Sequence, residues 1–331
     1  MATVGALAFT LSDWARQIDP DGSIAKIVEI LNDTNEILDD MMWVEGNLPT
    51  GHKTSIRSGL PSVTWRLLNY GVQPSKSRSV QVTDTVGMLE AYSEVDKSLA
   101  DLNGNTAAFR LSEDKAFLEA MSQELASIIF YGNTNTDPEK FMGLSPRYNL
   151  TTAENGGNIL DADGTGSDNT SVWLIVWGDQ TAHGIFPKGQ ISGLQHKDLG
   201  EQTLDDSATP PGKYQGYRSH YKWDAGFTLR DWRYVVRVAN IDITALTYNA
   251  ATGANLIDLM VQAIELLPSQ NRGTSVFYCN KTIKSFLRRQ ISNKSNVNLS
   301  LTNSGGKHIL DFDGIPVKKC DALLNTETAV S

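Results

Sequence analysis

From Gly46 to Val80 the chain carries no Asp or Glu, while Lys53, Arg57, Arg66, Lys76 and Arg78 give it five positive charges. Gly, Pro, Ser and Thr crowd both ends of this stretch. Its interior, Val63-Thr64-Trp65-Arg66-Leu67, alternates with the period of a strand, and Val80-Gln81-Val82 reads as the strand that returns. The pattern predicts a long two-stranded excursion with few large apolar residues to bury. An isolated hairpin is marginal in water. This one is therefore expected either to move freely or to lie on another chain; a solvated surface hairpin with incidental basic charge is the plainer alternative. Residues 1–45 just upstream hold Arg16 and Lys26 against nine carboxylates, a local net of −7. That inversion of sign between adjacent segments favours a basic loop of one copy meeting the acidic surface of the next.

Helical periodicity brackets the excursion. Upstream, Ile24, Ile27, Val28, Leu31, Leu38, Met41 and Met42 mark a helix from about Ser23 to Met42, entered through Asp19-Pro20-Asp21-Gly22. Downstream, an amphipathic stretch from Gly87 to Asp101 leads to the strongest helix of the sequence. There Phe117, Leu118, Met121, Leu125, Ile128 and Ile129 recur at steps of three and four. Ser112 is the N-cap candidate, with a start one or two turns earlier near Thr106 as the alternative, and Gly132-Asn133 is the stop. A polar turn follows, then Pro138, an apolar knot of Phe141, Met142 and Leu144, and Pro146.

The remainder mixes strands and helices without a βαβ rhythm or an internal repeat, which sets the class as α+β. Thr151–Thr170 and residues 189–222 read as polar loops. Ser171–Trp177 is a buried strand, its residues nearly all apolar, β-branched or aromatic. His183–Lys188 completes that unit, Trp223–Asn240 holds one or two strands, and Thr274–Cys279 is another. Ala251–Leu267 and Asn280–Ile291 are helices, the second capped by Asn280. Asp313-Gly314 between apolar alternations signals a hairpin turn.

At 331 residues there is room for two domains, or for one with long excursions. A net charge of −9 argues against nucleic acid as a ligand over the whole surface. No run approaches the roughly 18 apolar residues of a membrane span, and the first residues lack the basic leader of a secretory signal. Cys279 and Cys320 lie far apart without a metal-ligand spacing, as expected of two buried reduced thiols. There is no GxSxG elbow, phosphate loop, HExxH or dinucleotide fingerprint, and His52, His183, His196, His220 and His308 never fall at ligand spacing. Asp161-Ala162-Asp163-Gly164-Thr165-Gly166 begins like a calcium loop, but Val172 stands where the bidentate carboxylate belongs; an Asp/Gly turn is the reading. Aromatic residues beside basic ones, at Trp65-Arg66 and Arg230–Tyr234, can stack on bases. Strand alternation instead sends Trp232 and Tyr234 to a core and Arg233 to solvent. A hydrolase using Asp161, Asp163, Asp205 and Asp206 would need a carboxylate pair at working distance, which their spacing does not indicate. No enzyme, cofactor or metal is expected.

The order of the pieces is familiar: acidic helix, basic hairpin, long helix, YGNTNTDPEKFMGLSPRY, and a GIPVKKCDALLNTE hairpin near the end, with ILNDTNEILDDMMWVEGNLPTGHKTSIRSGLP running from the arm into the basic hairpin. It resembles the major capsid proteins of tailed bacteriophages with the Hong Kong 97-type coat fold, those of short-tailed phages above all. The resemblance implies residues 1–45 as an N-terminal arm and 46–87 as the extended hairpin, or E-loop. It makes 88–150 a peripheral domain with its spine helix at about 105–132, 151–270 an axial or central domain, and 271–331 return strands and helix of the core domains. It leaves open whether these pieces are permuted. The implied function is self-assembly, as hexamers and pentamers, into the icosahedral shell around packaged double-stranded DNA, which is held non-specifically. The shell would be part of the virion, its subunits made in the bacterial host cytoplasm. A separate scaffolding protein, a portal and a decoration or cement protein are the implied partners, with no membrane. Lys53, Arg57, Trp65, Arg66, Leu67, Leu68, Lys76 and Arg78 become the inter-subunit contact candidates. A tail or decoration protein, or a carboxylate-based hydrolase, is the alternative.

Overall fold

The computed structural model describes residues 35–102, 106–205, 212–246, 255–290, 299–304 and 307–331. In chain order they form helix α1 (Ile37–Asp40), strands β1 (Trp43–Glu45), β2 (Gly51–Gly59) and β3 (Arg78–Asp96), and helices α2 (Lys97–Ala100) and α3 (Thr106–Tyr131). Strands β4 (Ile159–Asp161), β5 (Asn169–Trp177), β6 (Ala182–Phe186), β7 (Gln195–Asp205), β8 (Lys213–Leu229) and β9 (Val235–Asp242) follow. The C-terminal part holds α4 (Leu256–Glu265), β10 (Thr274–Cys279), α5 (Lys281–Gln290), β11 (Leu299–Ser304), β12 (Lys307–Phe312) and β13 (Ile315–Lys319). The chain divides into two compact units. One comprises the described residues between 88 and 125 and between 193 and 224, the other the described residues between 35 and 87, 126 and 192, and 225 and 331. Thus β3, α3 and β8 each contribute a segment to both.

The larger unit is built on a mixed sheet with the strand order β11-β12-β13-β10-β5-β6-β8-β3-β2; β9 flanks β5 and carries β4, and β1 lies along β6. Every residue of β5 is buried, because both faces of the sheet are covered there. Val172, Leu174 and Val176 join Leu256, Met260 and Ile264 of α4 and Ile283, Phe286 and Leu287 of α5 in one apolar cluster. On the alternate positions, Trp173 meets Phe130 of α3 at 6.1 Å between ring centres, and Trp177 meets Phe227 at 6.3 Å. A strand covered on both sides has no polar face, which is why it reads as an unbroken apolar run. Asn280 caps α5 by accepting from the Ile283 N–H at 2.9 Å. Between β12 and β13, Asp313 and Gly314 both carry positive φ (50° and 80°), the geometry of a type I′ turn.

One buried ion pair lies inside this core. Arg237 of β9 donates to Glu327 at 2.9 Å, to Ser171 Oγ at 3.0 Å and to the Tyr148 carbonyl at 2.7 Å, and its guanidinium lies over the Trp173 ring. Glu327 also accepts from Tyr131 at the end of α3 and from Ser171. The C-terminal tail is thereby tied to the sheet and to the helix. Cys279 and Cys320 are both buried free thiols.

In the smaller unit β7 pairs with β8, and β8 with β3. One side of β8 faces α3: Arg110 donates to Ser219 at 3.1 Å and to Asp198 at 2.6 Å, while Phe109 packs with Val95, Ala100 and Tyr217. On its other side, Arg218 pairs with Glu94 at 2.7 Å, and His220 and Lys222 face Glu90 at 3.1 and 3.8 Å.

Several expectations need correction. Residues 189–222 are not loop but largely β7 and β8. Their alternation is carried by polar side chains, and in β7 only Leu204 is fully buried. Val63–Leu67 joins no ladder; the strands of the hairpin are β2 and β3, one on either side of it. Strand β3 runs on to Asp96, taking most of the Gly87–Asp101 stretch. The long helix begins at Thr106, whose hydroxyl donates to Asp101 at 2.6 Å, so Ser112 lies inside it rather than at its cap. Thr151–Thr170 contains β4, paired in parallel with β9. Trp232–Tyr234 is a single 3-10 turn, not a strand, although Tyr234 is indeed buried and Arg233 exposed. Of the Ser23–Met42 helix, the part before Asn35 lies outside the described residues; the described part is interrupted, with Asn35 bridged to Cys320 and only Ile37–Asp40 helical. The start of Ala251–Leu267 also lies outside the described residues, and the helix there is Leu256–Glu265.

Candidate assembly interface: the extended hairpin and its root

The β2–β3 ladder runs from Gly51 opposite Thr85 to Gly59 opposite Arg78, slipping register between Arg57 and Gly59. Beyond it, residues 60–77 form a tip without strand pairing. The tip is held by two local bonds. Ser75 Oγ donates to the Ser62 carbonyl at 2.7 Å, and the Tyr70 N–H donates to the Leu67 carbonyl at 3.2 Å. That second turn places Asn69 at φ 69°, a conformation Asn tolerates through its short polar side chain.

All eight contact candidates lie on this hairpin. Lys53 and Arg57 project from β2, Arg78 opens β3, and Trp65, Arg66, Leu67, Leu68 and Lys76 are on the tip. Every one is exposed. Trp65 is fully so, Leu67 and Leu68 are 73% and 85% exposed, and Leu60, Val63 and Tyr70 beside them are likewise open. Among the described residues none of the five basic side chains forms an ion pair. The tip thus exposes a dense apolar set on a segment with no core of its own.

The root contrasts sharply with the tip. Asp84, opposite His52 in the ladder, is 4% exposed and pairs with Arg147 at 2.8 Å. Arg147 also donates to the carbonyls of Gly143 (3.2 Å) and Met142 (3.1 Å), and its guanidinium lies 5.8 Å from the Phe227 ring centre. His52 is buried, its Nε2 2.9 Å from Arg230, and its ring meets His183 edge-on at 5.9 Å between centres. Burial, then the nearby Arg230 charge, lowers the His52 pKa from 6.5; the same two causes push His183 down to about 4. Both imidazoles are therefore neutral at pH 7.

Arg147 is delivered to the root by the segment that ends α3. The Gly132 N–H still bonds to the Ile128 carbonyl, and the chain then turns on Asn133, whose side chain accepts from the Asn135 N–H. It returns across the helix end: Gly143 N–H donates to the Gly132 carbonyl at 2.8 Å and Leu144 N–H to the Ile129 carbonyl at 2.9 Å. Carbonyls that a helix C-terminus leaves open are thus satisfied by the returning chain. Gly143 is required because a Cβ there would lie 2.5 Å from the Ile128 oxygen. Tyr148, fully buried, donates to the Trp232 carbonyl at 2.7 Å and fixes the far end. The YGN…GLSPRY pattern is therefore a helix cap that also supplies the hairpin's anchor. Sequence reasoning missed His52, Asp84, Arg147 and Arg230 as a group. The one local signal was the clustering of Gly, Pro, Arg and Tyr just past a helix stop.

A search of the solved structures places this architecture. A chain of the near-atomic structure of bacteriophage Epsilon15 matches with 40% identity and a TM-score of 0.82, over 100% of this chain and 99% of that one. More distant matches include the SrpI encapsulin of Synechococcus elongatus PCC 7942 (10% identity, TM-score 0.47, 72% and 98% of the two chains). The capsid of bacteriophage JBD30 is another (8%, 0.45, 89% and 93%). No curated protein matches. The fold is the Hong Kong 97-like fold of tailed-phage coats, and the chain is a phage structural subunit. Residues 19–331 match the family model "Major capsid protein GP7", and the chain belongs to that family of major capsid proteins. Among the described residues no helix is long and apolar enough to cross a membrane.

Proposed function

We propose that copies of this coat protein, grouped as hexamers and pentamers, close into an icosahedral shell around packaged double-stranded DNA, each subunit's hairpin lying on its neighbour. The exposed tip carries this reading. Burying an apolar side chain such as Trp65, Leu67 or Leu68 is worth about 1.5–3 kcal/mol, so the three together supply about 5–9 kcal/mol per hairpin. An exposed ion pair contributes only about 0–1 kcal/mol. Lys53, Arg57, Arg66, Lys76 and Arg78 accordingly set register and encounter rate against a neighbour's acidic residues, while the apolar tip supplies the lasting attraction. The net charge of −9 suits a wall that holds DNA non-specifically without gripping it during packaging.

The role is structural and without catalysis. Synthesis takes place in the host cytoplasm, and a separate scaffolding protein, a portal and a decoration protein are the further partners. In domain terms residues 46–87 act as the E-loop between the arm (1–45) and the spine-helix region (88–150), with 151–270 as the axial or central part and 271–331 completing the core. The test is Arg57→Glu with Arg66→Glu, and separately Trp65→Ala, followed by sedimentation and electron microscopy. Both variants should keep a native circular dichroism spectrum. The charge reversal should slow or salt-sensitise assembly, and Trp65→Ala should abolish closed shells. Normal shells from Trp65→Ala would refute the apolar anchor, and normal assembly of the charge reversal across a range of salt would refute the electrostatic part.

A further inference from the structure

The root of the hairpin holds buried polar groups that the assembly reading leaves unused. His52 on β2 is 5% exposed, with Nε2 at 2.9 Å from the Arg230 guanidinium. A guanidinium only donates, so Nε2 is the acceptor and the imidazole is neutral, with its proton on Nδ1. Around it stand Asp84, opposite on β3 and paired with Arg147, and His183 on β6, fully buried beside Thr228 of β8. Asp179 lies 3.7 Å from the other side of Arg230. His52 Nδ1, both ring nitrogens of His183, Asp84 Oδ2 and Thr228 Oγ1 have no hydrogen-bond partner among the described residues. A second proton on His52 falls on Nε2, which faces the Arg230 guanidinium rather than an acceptor, while the Asp84 carboxylate beside the ring is already paired with Arg147.

We propose that His52 and Arg230 form an acid-sensitive latch at the base of the hairpin. With His52 neutral, its lone pair takes the Arg230 N–H and holds the start of β2 against the turn after β8. A proton taken from solvent at Nε2 removes that lone pair and sets imidazolium against guanidinium, and the root opens. The β2–β3 ladder itself is made of backbone bonds and survives, so the hairpin loosens as a unit about its base. Burial and Arg230 both oppose that proton, while Asp84 and Asp179 favour it; the first two prevail, so the latch stays closed at neutral pH. The latch belongs to a single chain and does not depend on where the tip rests.

Hydrogen–deuterium exchange of the full-length chain from pH 7.5 to 5.0, corrected for intrinsic exchange, tests it. Protection of Gly46, whose N–H bonds to the Phe186 carbonyl outside the ladder, should fall at least tenfold on acidification, with residues 53–56 of the ladder and 172–177 of β5 unchanged. His52→Gln, whose amide oxygen accepts from Arg230 at any pH, should lose this response, and His183→Gln should retain it. Arg230→Gln, which donates without a charge, is the second variant should His52→Gln fail to fold, and it too should lose most of the response. Protection in the wild type that is unchanged by acid, or an undiminished response in whichever of His52→Gln and Arg230→Gln folds, overturns the proposal.

Discussion

Replacing Arg147 by alanine isolates the worth of the hairpin's anchor. The Asp84 carboxylate is 4% exposed, and among the described residues Arg147 is its only ion-pair partner. Its second oxygen already lacks a hydrogen bond. Truncating Arg147 therefore strands a buried charge, a change that costs about 3–5 kcal/mol. For comparison, Lys97–Glu201 is about as short, at 2.7 Å, but both its side chains are roughly two-fifths exposed. Its loss should cost far less, because water screens both charges. Charge and packing separate in a double-mutant cycle. Asp84→Asn removes the charge that needs Arg147, so Asp84→Asn/Arg147→Ala should recover much of the loss, with a coupling energy of about 2 kcal/mol or more. Urea unfolding followed by tryptophan fluorescence gives the free energies, and hydrogen exchange at residues 82–86 reports the root directly. A loss below about 1 kcal/mol for Arg147→Ala, or a coupling energy near zero, would show that Asp84 is solvated or held by something else.

What could be read from the sequence was what is local. Strand β5, the Asn280 cap and the Asp313-Gly314 turn each depend on residues within a few positions of one another, and each is where its pattern places it. Strand β7 and the first half of β8, up to Lys222, escaped notice for a physical reason. The smaller unit buries little, so its strands alternate Tyr, Ser, Arg and Glu rather than apolar and polar residues. The hairpin was legible by deficiency, in that too few large side chains were present to cover it. Even there Val63–Leu67 looked like a strand because β-branched and aromatic residues suit a pleated surface. With nothing to pair against, the segment stays outside the ladder.

The root was illegible because its contacts are long-range. Arg147 and Asp84 are 63 residues apart, His52 and Arg230 178. Each is an ordinary polar residue in its own neighbourhood, and only the strand order β6-β8-β3-β2 gathers them. At the hairpin's base the contacts are made by charged and hydrogen-bonded groups, Asp84 with Arg147 and His52 with Arg230. Composition thus pointed to the exposed tip and gave no sign of the buried polar groups at its base.

Two further outcomes concern the cap and the pH response. Gly143→Ala puts a Cβ 2.5 Å from one backbone oxygen and 2.8 Å from the next; it should cost about 3 kcal/mol by urea unfolding, through overpacking and the loss of two capping bonds. A cost under about 1 kcal/mol would mean the segment yields without strain. For His183 the sign follows from its depressed pKa, from 6.5 to about 4, caused first by burial and then by Arg230 and His52. Above pH 6.5 both folded and unfolded chains hold it neutral, so its contribution to stability is whole. As pH falls below 6.5 the unfolded chain takes the proton first, and stability drops until the folded form also protonates near pH 4, below which this group adds no further loss. By pH 4.5 the loss amounts to about 2–3 kcal/mol, since each pKa unit is worth about 1.4. Carboxylates titrate over part of the same range, so the quantity to measure is the difference between wild type and His183→Gln. The two proteins' stabilities should converge by that amount between pH 7 and 4.5. Parallel curves would mean that His183 is solvated, or charged, in the folded chain.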